Sequence, residues 1–259
     1  MAINRFLLIA FLPLFQLSVY GQAQEGAGAP PRVAYGFETD FNARYVFRGQ
    51  AYSQGPVKQT TVWMKVAGIT AYAWGNLVLS QEPQRGEFNE LNFGISYQRD
   101  WKRLRVEPGL DFYHYRSLAP NHSPPTGEAS VKLSVPAGPL PVFTKQTLDI
   151  GSYRGAYFGE AGISFERELN HKTTVAATMS GAWASAKRNA SYIGVPKRAF
   201  NLVGAELSLT YAPSRRYYLR PHIEFTRITE HRLRAQLLFS QISNFGLAFG
   251  INLNAGPEH

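Results

Sequence analysis

From Val33 to Arg48 the residues alternate without a break between two characters. Val33, Tyr35, Phe37, Thr39, Phe41, Ala43, Tyr45 and Phe47 fall on one side, and Ala34, Gly36, Glu38, Asp40, Asn42, Arg44, Val46 and Arg48 on the other. A period of two is the signature of a β-strand with one apolar and one polar face. The run is longer than the ~5–6 residues usual in globular proteins, and suits a tilted strand that crosses a bilayer and continues past it.

The pattern recurs along the chain, as in Leu91, Phe93, Ile95 and Tyr97, or Val203, Ala205, Leu207, Leu209 and Tyr211. Comparable alternation covers the stretches around 104–113, 129–135, 160–166, 175–183, 217–226 and 244–253. Three stretches, 57–67, 69–80 and 142–150, are less regular. In the second, Tyr72 and Trp74 share a face with Asn76, which leaves its register open. Joins fall near 49–56, 68, 81–87, 98–103, 117–126, 136–141, 151–156, 169–172, 187–197, 212–216 and 229–242, longer and shorter mostly in turn. Outer-membrane barrels show this rhythm, with short periplasmic turns and longer outer loops. Eleven joins predict an all-β, transmembrane, antiparallel up-and-down barrel of twelve strands over residues 32–254, with both termini periplasmic. A soluble β-sandwich is the alternative. Aromatics gathered where strands meet joins (Tyr45, Phe47, Tyr97, Trp101, Tyr157, Trp183, Tyr211 and Tyr217) favour interfacial girdles and the barrel. Pro108 and Pro221 fall inside strands and predict bulges or bends.

The N-terminus fits the same reading. Arg5, an apolar core from Phe6 to Leu14 and the small-residue exit Gly21-Gln22-Ala23 form a secretory leader over 1–23, cut near Ala23. Residues 24–31 read as a flexible lead-in and 255–259 as a polar tail. The last strand carries Asn244-Phe-Gly246-Leu-Ala-Phe249-Gly-Ile251, similar to the signal read by the barrel-assembly machinery, which is therefore an expected partner during biogenesis. The chain has no cysteine, so neither a disulfide framework nor a lipoprotein attachment site is available.

Several motifs resemble a family of uncharacterised bacterial outer-membrane barrel proteins. They are Arg44-Tyr45-Val46-Phe47-Arg48-Gly49 with Ser53-Gln54, then Gly68-Ile-Thr-Ala-Tyr72-Ala-Trp74-Gly75-Asn76 and Glu90-Leu91-Asn92-Phe93-Gly94. Gly109-Leu-Asp-Phe112-Tyr113-His-Tyr115 and Gly127-Glu128-Ala129 complete the set, over roughly residues 37–135. The resemblance implies an outer-membrane barrel and transfers no catalytic residue.

Alternation also sorts the charges. A cation on the lipid face costs about 2–4 kcal/mol near the midplane, so charges at polar positions must face the lumen. The expected lining is Arg44, Arg48, Glu90, Arg105, Glu107, Asp111, Glu160, Glu166, Arg220, His222 and Glu224, with Glu38, Asp40, Lys132 and Glu206 in the same inward set. Eight strands are just filled by side chains and sixteen leave a channel, so twelve predicts a narrow passive pore for small polar solutes. With both signs abundant, strong ion selectivity is not expected. A closed structural or adhesive barrel acting through its outer loops is the alternative, and a lipid-modifying outer-membrane enzyme a third. Arg44 and Arg48, four apart on one face, form with Glu90, Glu107 and Glu160 either a constriction for a polar or anionic solute or an Arg–Glu network bracing the wall.

No serine signature accompanies His114 or His222, so no catalytic residue is assigned. No glycine-rich phosphate loop or zinc spacing is present, so neither cofactor nor metal is expected. The basic balance, a formal +9 with sequence pI ≈ 9.7, would suit nucleic acid, but an exported chain is in the wrong compartment. Lys187, Arg188, Lys197 and Arg198 instead fall in a join, where lipopolysaccharide phosphates would meet them. Outer-membrane lipid and lipopolysaccharide are thus the expected lasting partners. The loops 117–126 and 229–242 are the longest. Leu233, Leu237, Leu238 and Phe239 make the second too apolar for a bare loop, so it is either strand extension or a segment folded into the mouth.

Overall fold

The computed structural model describes residues 33–80, 85–116, 124–138 and 140–253. The leader, lead-in, tail and most of loop 117–126 lie outside these residues. Twelve long strands form one closed ring. They are β1 (Ala34–Asn42), β2 (Val57–Val66), β3 (Ile69–Val78), β4 (Phe88–Tyr97), β5 (Leu104–Tyr115) and β6 (Thr126–Ala137). The second half comprises β7 (Leu140–Asp149), β8 (Tyr157–Asn170), β9 (Thr173–Ala184), β10 (Ala199–Tyr211), β11 (Tyr217–Ile228) and β12 (Gln241–Asn252). Each strand pairs antiparallel with the next, and β12 returns to β1 with Glu38 opposite Gly250 and Asp40 opposite Ala248. A short segment, Arg99–Trp101, continues β4 beyond Gln98 and pairs with β5. Closure removes every free edge, the requirement for a sheet in lipid. The barrel is therefore the twelve-stranded, up-and-down architecture that the joins predict.

The alternation becomes two surfaces. Outward positions are exposed and apolar, among them Val62 (58%), Phe93 (52%), Met179 (62%) and Phe245 (60%). A continuous belt of this kind is a lipid-facing surface, far beyond the patches a soluble monomer exposes. Tyr97, Trp101, Tyr211 and Tyr217 stand exposed at the short-turn end, where an aromatic girdle belongs.

Three expectations need correction. β1 stops at Asn42, although its alternation runs on to Arg48, and Tyr45 and Phe47 are buried rather than set in a girdle. Pro108 and Pro221 hold their register, opposite Val131 and Leu247. Each sits where the ladder to its other neighbour lapses: β4 pairs with β5 only as far as Ser96–Gly109, and the β10–β11 pairing skips between Ser208–His222 and Tyr211–Leu219. A proline needs only a missing donor site, and these gaps supply it without a bulge. The register shifts fall instead at Asn76/Leu77, Glu168/Asn170 and Ala182/Trp183. In β3, Tyr72, Trp74 and Asn76 face inward, and the small residues Ala71, Ala73 and Gly75 take the alternate positions.

Leu207 lies midway along β10 on the outer face, 50% exposed. Leu207→Arg is expected to destabilise the barrel by about 2–4 kcal/mol in chemical unfolding from lipid vesicles. A change near zero would mean that this face meets water.

Candidate functional site: a capped, off-centre lumen

Near the loop end of the inner wall, β5, β6 and β7 set Asp111, Glu128 and Asp149 directly opposite one another. Adjacent like charges repel, and all three are buried, so their oxygens must be satisfied inside the lumen. Asp111 accepts from the Tyr72 hydroxyl at 2.6 Å. Asp149 accepts from the Thr126 hydroxyl (2.8 Å) and from the Gly151 and Tyr153 backbone N–H groups (3.0 and 3.1 Å). Glu128 draws its charged partners from two loops. Arg48 donates to both its oxygens at 2.7 Å, and Arg188 Nη1 donates to Oε1 at 2.7 Å. The Tyr113 hydroxyl completes the set at 3.0 Å. Burial opposes the charge on Arg48, but the Glu128 carboxylate outweighs it and raises the guanidinium pKa.

Arg48 reaches Glu128 because the chain after β1 turns into the barrel. Val46–Phe47 pairs with Gln50–Ala51 around Arg48 and Gly49, whose φ angles are 49° and 80°. Two positive φ values mark the mirror-image hairpin turn, which favours glycine at its second corner. At the tip, a Cβ on Gly49 would lie 2.7 Å from Ile228 Cδ1 and 2.9 Å from Leu202 Cδ2, so the hairpin spans the mouth to the far wall. Its base packs Tyr45 and Phe47 against Val57, Trp74 and Tyr113. A second apolar cluster holds Phe158, Ala182, Leu202, Ile228 and Leu233. Leu233, wholly buried, comes from a short helix (His231–Arg234), so this part of the apolar loop 229–242 is folded into the mouth, with Leu237 partly buried against the same cluster and Leu238 left 71% exposed. Arg48 lies over both Phe47 and Phe158, 4.6 Å from each ring centroid, and joins the two clusters.

The rest of the lumen is asymmetric. Aromatic and long side chains from β3 to β7 fill one side. Across β8–β12 and β1, small inward residues such as Ser180, Ala182 and Gly204 leave a cavity of about 170 Å³ beneath the hairpin. At Gly246 a Cβ would lie 2.1 Å from His222 Nε2 and 2.4 Å from Asn42 Oδ1, so only glycine admits those polar groups. On this wall Arg220 donates to Glu38 at 2.8 Å, and His222 pairs with Asp40 at 3.0 Å. Glu160, Glu206 and Glu224 line the same cavity.

The expected lining residues thus divide. Arg44, Arg48, Glu160, Arg220, His222 and Glu224 line the cavity, and Arg44 sits at its upper rim, 4.5 Å from the Phe239 ring centroid. Arg44 and Arg48 do not share a strand face, since both lie past the end of β1. Glu90 is buried in the filled half, accepting from Asn92 at 2.8 Å. Arg105 pairs with Asp100 (2.6 Å) towards the turn end, Asp111 joins the acidic row, and Glu107 lies opposite Lys132. Glu166, near the turn end of β8, is not part of the cavity.

The basic loop also divides. Arg188, expected to face lipopolysaccharide, lies on α1 (Ala186–Ile193), only 3% exposed and committed to Glu128. Lys197 pairs with Glu230 at 2.9 Å, and the hydrogen bonds from Lys197 and the Arg232 backbone hold that carboxylate below its usual range. Lys187 and Arg198 remain at the loop surface.

Sequence reasoning missed Glu128 and Asp149 as lumen residues, though Glu128 falls in phase with Ser130 and Lys132 on the polar side of β6. His114 and Ser152 share an outer groove, but the Ser152 hydroxyl donates to the Pro125 carbonyl (2.6 Å).

Fold and lumen together define a transmembrane β-barrel whose charged interior is capped from one end. Its architecture is that of solved outer-membrane porins. "KdgM porin in complex with disordered oligogalacturonate" is similar over 84% of this chain and 98% of its own, with TM-score 0.51 and 10% identity. The NanC porin is similar over 83% and 98%, with TM-score 0.52 and 14% identity. No protein-family model matches the sequence, and no curated protein does.

Glu128→Ala strands two buried guanidinium groups and is expected to cost about 3–5 kcal/mol in unfolding. It should also speed backbone hydrogen exchange across residues 46–51. Retained protection there would show that the apolar clusters hold the hairpin without the ion pairs.

Proposed function

We propose that this barrel is a bacterial outer-membrane protein that passes small polar solutes passively through a narrow, laterally displaced lumen. The observation that carries this reading is the open space lined by charged and polar side chains on the β8–β1 side. A barrel serving only as scaffold has no need of small inward residues along one arc. The porin-like architecture supports the same reading, as does the lipid-facing belt. The oligogalacturonate bound to the KdgM porin is a poor guide to the solute of this chain, because carboxylates crowd the cavity wall. Membership in the family carrying the Tyr-x-Phe-Arg-Gly motif belongs to the proposal too. Its supporting observation is that Tyr45, Phe47, Arg48, Trp74, Tyr113 and Glu128 meet at one place.

The test is single-channel recording in planar bilayers of protein purified from outer membranes after expression of the full chain. Discrete conductance steps are expected, larger or noisier in Glu128→Ala as the hairpin loosens. A folded but silent barrel in both proteins would replace the pore with the closed, structural reading. At the outer surface, reversing Lys187 and Arg198 together should weaken lipopolysaccharide binding. Unchanged binding would remove that contact.

A further inference from the structure

The cavity wall separates its charges by height. Glu38 and Asp40 are matched by Arg220 and His222. One step towards the loop end the register places Thr178, Glu206, Glu224 and Asn244 side by side across β9, β10, β11 and β12. All four side chains line the cavity. Glu206 and Glu224 are directly opposed across neighbouring strands, an arrangement that repels when both are ionised. Among the described residues neither forms an ion pair. Glu224 accepts only from neutral groups, the Thr226 hydroxyl at a long 3.4 Å and the Asn244 amide. Thr178 supplies an independent observation. Its side chain is 8% exposed, and its hydroxyl is buried without a hydrogen-bond partner. A buried hydroxyl without a partner costs free energy that a bound polar group would recover.

We propose that Thr178, Glu206 and Glu224 form a lumenal subsite for a primary ammonium group carried by a small organic solute. Such a group offers three N–H donors and one positive charge. The row offers three side-chain acceptors, two of them neighbouring carboxylates. No group of three or more His, Cys, Asp or Glu side chains placed to hold a metal ion occurs among the described residues. The cation also relieves the Glu206–Glu224 repulsion, so charge and hydrogen bonding act together. Arg220 and His222, the nearest cations, are already paired and leave the row acidic. The inference deepens the pore reading by naming a solute class, but binding does not depend on conduction.

The test is calorimetric titration of the detergent-folded barrel with ethylammonium, and with tetramethylammonium, which has equal charge and no N–H donor. Wild type should bind ethylammonium more tightly than tetramethylammonium. The E206Q/E224Q protein should bind ethylammonium at least about tenfold more weakly. Thr178→Val, which removes an orphaned hydroxyl and so preserves folding, should weaken it by about threefold. Equal affinity for the two cations, or no loss in the Gln variant, overturns the subsite. Ammonium binding by a barrel that conducts no current would keep the subsite and discard the pore.

Discussion

The carboxylate of Glu128 is the point on which the upper half of this lumen depends. It stands between two other acids on the inner wall, and each flanking acid is satisfied by neutral donors, from the wall and adjoining turn and, for Asp149, also from Tyr192 of α1. Glu128 is left to recruit cations from a distance, Arg48 across 80 residues and Arg188 across 60. A buried charge without partners is costly, and the two loops that supply them are drawn inside the barrel as a consequence. The apolar clusters then form on either side, because the inward turn carries Tyr45 and Phe47 with it and α1 brings Ile193 against Phe158 and its neighbours. The ion pairs fix where the loops go, and burial of aromatic surface supplies much of the stabilisation once they are there.

The barrel itself was legible because lipid enforces a simple rule on every strand. Outward residues must be apolar, so the alternation of Leu91, Phe93, Ile95 and Tyr97, or of Phe245 through Leu253, is imposed by the bilayer and survives any detail of the interior. The lumen obeys no such rule. Trp74 and Tyr72 face inward because a loop lies there to pack on them, which a two-letter apolar and polar pattern reads as an outward face or as ambiguity. Arg48 shows the same limit. Its alternation with Phe47 looks like continued strand, yet the Arg48-Gly49 pair is a hairpin corner. The positive φ of both residues breaks β1 from its apparent extension.

The motifs that carry the family resemblance therefore have a physical meaning. Tyr45, Phe47 and Arg48 lie on the inserted hairpin, Trp74 and Tyr113 on the wall it packs against, and Glu128 at its anchor. These residues are scattered over the first half of the chain and meet only when β1 to β6 are rolled into a ring. Sequence spacing could expose each fragment, but not their convergence, which depends on the direction of one loop. The division of the basic loop was hidden for the same reason. Lys187 and Arg188 are neighbours in sequence, and the roughly 100° between consecutive helical residues leaves the first at the surface and turns the second to Glu128.

Net charge is a poor guide to what such a lumen passes. The chain as a whole is strongly basic, and its inward residues include many of both signs. What matters is which charges are neutralised internally. Arg48 and Arg188 are engaged in holding the cap, Arg220 and His222 are paired with Glu38 and Asp40, and Arg105 with Asp100. The cations are therefore largely committed to structure, while Glu206 and Glu224 face open space without an ion-pair partner. A solute entering the cavity meets the residual field of the uncommitted groups, and in the low-dielectric interior that field acts at greater strength than the same charges would in water. Among the described residues Arg44, at the rim of the same cavity, has no carboxylate partner either, so the uncommitted charge is basic at the mouth and acidic at the Glu206–Glu224 row beneath it.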